Sequence, residues 1–161
     1  MYVHKLHIGE FDEIDYQLIA IHSPLEDYRL AYYINQNLPI NLQKSNGNIH
    51  ISNKEGETQF TRFIFEDDKD IAWNLIQNQN DALVASENNN QGLFADSSNK
   101  FAAKIYLIPE FKKVDYFLKI ENDEVEIDVS KIINALKKIE RVSTVYPVEV
   151  EKIKSKNNLI F

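Results

Sequence analysis

The chain has 161 residues, long enough for one domain with a sizeable core, and its 43% apolar and 11% aromatic content is that of a folded sequence. It has no cysteine, which excludes disulfides, thiolate metal sites and thiol nucleophiles together. The net charge of −7 argues against broad phosphate binding, although it is uneven: residues 1–130 hold 11 Lys/Arg against 22 Asp/Glu, and residues 131–161 hold 7 against 3.

In chain order, Tyr2 to Ile8 reads as a strand, and Met1 to Glu10 shows no apolar run behind a basic start, so no secretory signal is expected. Asp15 to Ile21 is almost continuously apolar, as a strand buried on both faces should be. Ser23-Pro24-Leu25-Glu26 has the form of a helix start, with Ser23 as cap and Pro24 in the first turn. The helix of residues 24–37 carries Leu25, Tyr28, Leu30, Tyr32, Tyr33 and Ile34 at helical spacing, a wide stripe rich in tyrosine. Pro39 stops it, Ile40-Asn41-Leu42 alternates like a strand, and Asn46-Gly47 signals a hairpin into Ile49-His50-Ile51.

Phe60 to Phe65 is a further strand, Glu66 to Asp70 a charged turn, and Ile71 to Ile76 the return strand. Residues 77–100 are dominated by Asn, Ser, Gln and Asp and read as a long polar excursion or loop. Phe101 to Ile108 is a strand closed by Pro109, with Val114 to Ile120 as its expected antiparallel partner. Asp128 opens the clearest helix, 128–141, in which Val129, Ile132, Ile133, Leu136 and Ile139 form one stripe opposite Lys131, Lys137, Lys138 and Arg141. Thr144 to Val150 is a strand, with Pro147 pointing to a sheet edge, and the apolar Leu159-Ile160-Phe161 follows as a contact segment.

The expected fold is a single α+β domain over 1–161, a largely antiparallel sheet with two helices packed on one face. Asp15-Tyr16-x-Leu18 and Asp115-Tyr116-x-Leu118 echo one another, which suggests a β-α-β pseudo-repeat. No stretch approaches the roughly 18 apolar residues of a membrane span, so the expected location is the cytoplasm, with no membrane partner.

Residues 108–116 read Ile-Pro-Glu-Phe-Lys-Lys-Val-Asp-Tyr. The stretch resembles the signature of the IPExxxVDY family, small bacterial proteins named for that pattern. Asp27-Tyr28-Arg29-Leu30-Ala31, Leu38 and the segment around Asp15 also fit the family, whereas residues 77–100 do not. The family carries no established activity, so the resemblance implies kinship without a reaction, cofactor or ligand. It singles out Ile108, Pro109, Glu110, Val114, Asp115, Tyr116, Asp15, Tyr28 and Arg29 as positions to locate.

Glu110 and Asp115 have two readings. They are either paired carboxylates at a sheet end, fit for acid–base work or a cation, or loop residues that satisfy nearby backbone groups. Strand alternation places Val114, Tyr116, Leu118 and Ile120 on one face. Four scattered histidines make no metal site, the acidic run 66–70 lacks the spacing of a calcium loop, and four isolated glycines exclude a phosphate-cradling loop. No catalytic residue, metal or cofactor is expected. The favoured function is a non-enzymatic module that binds a protein partner or a second copy. One alternative is a small-molecule sensor or enzyme using Glu110, Asp115 and Asp15. Another is RNA or ribosome association through the basic segment 131–156, although the acidic net charge weighs against nucleic acid.

Overall fold

The computed structural model describes residues 14–54, 56–84, 101–122 and 125–161. The expected strand Tyr2 to Ile8 and residues 85–100 of the expected polar excursion lie outside these residues. The first elements are β1 (Tyr16–His22), α1 (Asp27–Asn37), β2 (Gln43–Lys44), β3 (Ile49–Asn53), β4 (Gly56–Phe60), β5 (Arg62–Glu66) and β6 (Ala72–Gln77). They are followed by β7 (Gln79–Val84), β8 (Phe101–Tyr106), β9 (Tyr116–Glu121), α2 (Val129–Lys137) and β10 (Thr144–Pro147). The fold is α+β, as expected.

Six strands form one sheet in the order β10-β1-β9-β6-β5-β2, and each neighbouring pair is antiparallel. The apolar run of β1 has its reason here: Ile19 and Ile21 face one core and Leu18 and Ala20 the other, all buried. Both helices cover the first face. Leu30, Ala31 and Ile34 of α1, and Ile132, Ile133 and Leu136 of α2, pack with Leu75, Leu118 and Ile120. Asp128 caps α2 by accepting from the Lys131 amide at 3.1 Å. The second face is covered by two two-stranded antiparallel sheets, β3–β4 and β7–β8, and by Val148, Val150, Ile153 and Leu159 near the C-terminal end.

Alternate antiparallel pairing makes β1 parallel to β2, and β9 parallel to β10, so each helix joins two parallel strands. The echo between the two units stops at the backbone. Leu18 and Leu118 face opposite cores, and the two Asp-Tyr starts sit at opposite ends of the sheet, since Tyr16 pairs with Glu121 and Tyr116 with Ile21.

Several local expectations are corrected. Val114 to Ile120 is not the partner of the strand before Pro109: β8 pairs with β7, while β9 sits between β1 and β6. Residues 79–84 therefore leave the expected loop and form a strand. Asn46-Gly47 closes no hairpin, because neither residue has the positive φ that such a turn needs, and β2 pairs with β5 while β3 pairs with β4. The strand expected at Ile40 to Leu42 falls at Gln43–Lys44, and Phe60 to Phe65 divides at Thr61 between β4 and β5. Ser23 does not cap α1; its hydroxyl accepts from the Leu25 amide at 3.2 Å, and the helix starts at Asp27. The charged turn is confirmed: Asp67 accepts from the Lys69 and Ile71 amides, and Asp70 takes φ 59°. Pro147 does lie on an edge strand.

Candidate functional site

Asn78 organises the stretch that resembles the family signature. It is fully buried, and its side-chain amide donates to the carbonyls of Phe111 and Val114, both at 2.8 Å. Its side-chain oxygen accepts from the Ile108 amide at 2.9 Å, its backbone N–H donates to Asp115, and its carbonyl accepts from Leu107. The bend is thus built around one asparagine that meets the backbone groups freed when β8 ends. Pro109 opens a short 3-10 turn, Pro109–Phe111, where its missing N–H costs nothing. Ile108 and Val114 are buried in the second core, which corrects the expectation that Val114 shares a face with Tyr116. The turn ahead of β9 rotates it away.

Glu110 and Asp115 do not converge. Glu110 is exposed and accepts from the Ser155 hydroxyl at 2.9 Å. Asp115 accepts from the Ser23 amide at 2.8 Å and from the Gln79 side chain at 3.3 Å. Asp15 is exposed at the far end of β1, where its carbonyl accepts from the Asn122 amide.

Asp115 and Tyr116 line a cleft of about 330 Å³ with Glu26, Asp27, Gln77 and Gln79, at the N-terminal end of α1. Three carboxylates line it and no cationic side chain does. Each of the two aspartates is already engaged: Asp27 accepts from the Tyr28 amide at 2.8 Å and the Thr61 hydroxyl at 2.7 Å. Tyr116 is buried and donates to the Leu25 carbonyl at 2.6 Å. Burial first, and then the Asp27, Asp115 and Glu26 carboxylates, push its phenol well above the usual range, so it stays a neutral donor that ties β9 to the start of α1. No group of His, Asp or Glu suited to a metal is found among the described residues.

The outer face of α1 carries Tyr28 and Arg29, the remaining positions that the resemblance singles out. Tyr28, Tyr32 and Tyr33 are 58%, 59% and 42% exposed, and Arg29 is exposed beside them. Periodicity assigned these tyrosines to the stripe that covers the sheet; the structure leaves that role to Leu30, Ala31 and Ile34. Tyr32 and Tyr33 meet edge to face, 5.5 Å between ring centres. Tyr28 hydrogen-bonds Glu26 at the rim of the cleft, which raises its pKa.

Sequence reasoning missed Asn78. It stands at the head of a polar stretch, and nothing in composition separates it from its neighbours. No helix among the described residues is long and apolar enough to cross a membrane. No family model, curated protein or solved structure matches the chain.

Proposed function

We propose that this chain is a non-enzymatic protein-interaction module of the cytoplasm, akin to the IPExxxVDY proteins, whose contact surface is the outer face of α1. One observation carries the reading: three tyrosines stand exposed on an 11-residue helix whose inner face is fully committed to the core. Tyrosine brings a large, stiff, amphipathic contact area, and it is enriched at the centre of protein interfaces. The signature stretch has a different task in this reading: it builds the bend and fixes the start of α1. The alternative that recruits its carboxylates for chemistry has less support, since Glu110 bonds Ser155 and does not line the cleft of Asp115.

The test is the double variant Tyr28→Ser/Tyr32→Ser. Both side chains are more than half exposed, so stability is expected to stay within about 0.5 kcal/mol of wild type. Affinity capture from the native host is expected to lose the bound protein that wild type retains. Retention of the same partner by a folded double variant removes α1 as the contact face.

A further inference from the structure

We infer that the partner of α1 is α2 of a second copy of this chain, in a two-fold dimer joined through the helix layers; this rests on the reading of α1 as a contact face. The two helices cover one face of the sheet, and because β1 and β9 are antiparallel, α1 and α2 cross it in opposite directions. Hydrogen bonds fix which ends meet. Ser143, just beyond α2, donates its backbone N–H and its hydroxyl to the His22 carbonyl at 2.9 and 3.1 Å, and α1 starts soon after His22. The start of α1 and the end of α2 therefore share one end of the layer.

Those ends carry opposite net charge. Glu26 and Asp27, with Asp115 in the adjoining cleft, outnumber Arg29 at the start of α1, and exposed Lys137 and Lys138 at the end of α2, with Arg141 just beyond it, outnumber Glu140. The ion pairs among the described residues, Lys119–Glu121 and Lys152–Glu149, use none of these groups. A two-fold axis running along the strands, between two facing helix layers, sets α1 of each copy on α2 of the other. Same ends then meet, so carboxylates face lysines twice, and the positive end of one helix dipole faces the negative end of its neighbour. Tyr28 and Tyr32 lie across the stems of Lys137 and Lys138, where their rings attract the ammonium groups. An axis across the strands sets α1 on α1 and offers no such match, so charge selects the first arrangement.

The experiment is a charge swap read by light scattering over a dilution series. Glu26→Lys/Tyr28→Lys makes the start of α1 basic, and Lys137→Glu/Lys138→Glu makes the end of α2 acidic. Wild type is expected to be a dimer and each variant a monomer. Their equimolar mixture is expected to recover the dimer, because both contacts in the mixed pair again join opposite charges. A gentler variant, Lys137→Ala/Lys138→Ala, is expected to weaken association at least about tenfold, each tenfold step being about 1.4 kcal/mol. A wild type that stays monomeric at every concentration overturns the dimer, and so does a swap variant that still dimerises alone. A monomeric wild type whose acidic α2 variant differs only in RNA retention also overturns it and assigns the lysines to nucleic acid. A monomer that loses a captured foreign protein on Tyr28→Ser/Tyr32→Ser overturns it too, while leaving the interaction-module reading intact.

Discussion

Replacing Asn78 with alanine is expected to cost about 3 kcal/mol or more, a large share of the roughly 5–15 kcal/mol that holds a domain of this size folded. The side chain meets one buried N–H and two carbonyls, and alanine supplies neither donor nor acceptor. The Phe111 carbonyl keeps the Val114 amide, but the Ile108 N–H and the Val114 carbonyl lose their partner. Leaving a buried backbone group unpaired costs about 1–3 kcal/mol, so the two together outweigh the loss of packing from so small a side chain. Asn78→Asp keeps the shape and removes only the donors. At neutral pH it turns a carboxylate oxygen toward the Phe111 and Val114 carbonyls, and it is expected to cost at least as much as alanine. Urea unfolding followed by tryptophan fluorescence from Trp73 provides the measurement. A midpoint within error of wild type for both variants would mean that the bend holds itself without Asn78.

Shortening the chain after Lys156 is expected to be the second severe change, at about 4 kcal/mol or more, on the scale of a fully buried leucine with its cavity. Leu159 has no exposed surface, and Asn158 donates to the Leu107 carbonyl at 2.8 Å. The Leu159 carbonyl also accepts from Lys119, whose ammonium is buried, pairs with Glu121 and lies 4.6 Å from the centre of the Phe161 ring. Removing the segment deprives a buried cation of two of its partners, and that is costly wherever water cannot replace them in full. Leu159→Ala alone is expected to lose about 2–5 kcal/mol. Phe161→Ala is expected to lose less, because its ring is 42% exposed. A shortened chain as stable as wild type, or the reverse ranking of the two single variants, contradicts this role. Leu159 thus belongs to the second core rather than to a free contact segment, while Ile160 and Phe161 stay exposed.

The elements legible in the sequence are those set by local pattern. Continuous apolar character marked β1, the stripe from Ile132 to Leu136 marked α2, and Pro147 marked an edge. Pairing was less legible, because it depends on partners distant in the chain. β9 reads as the return of β8, yet the bend held by Asn78 sends it into the large sheet between β1 and β6. Asn-Gly at 46–47 carried a hairpin signal, and the signal lost to the pairing of Gln43 and Lys44 with β5. The candidate site was half legible. The signature residues drew attention to Asp115 and Tyr116, but a linear pattern could not show that Glu110 points elsewhere. Tyrosine was the hardest case: its ring counts as apolar in a periodicity argument, while its hydroxyl lets it stand in water on α1.

Amide hydrogen exchange on the free protein and on its complex tests the contact face most directly. Slower exchange in residues 27–37 on complex formation, with residues 108–116 unchanged, is the expected result. Added protection confined to 108–116, with α1 exchanging as it does in the free protein, would contradict it and move the working surface to the bend.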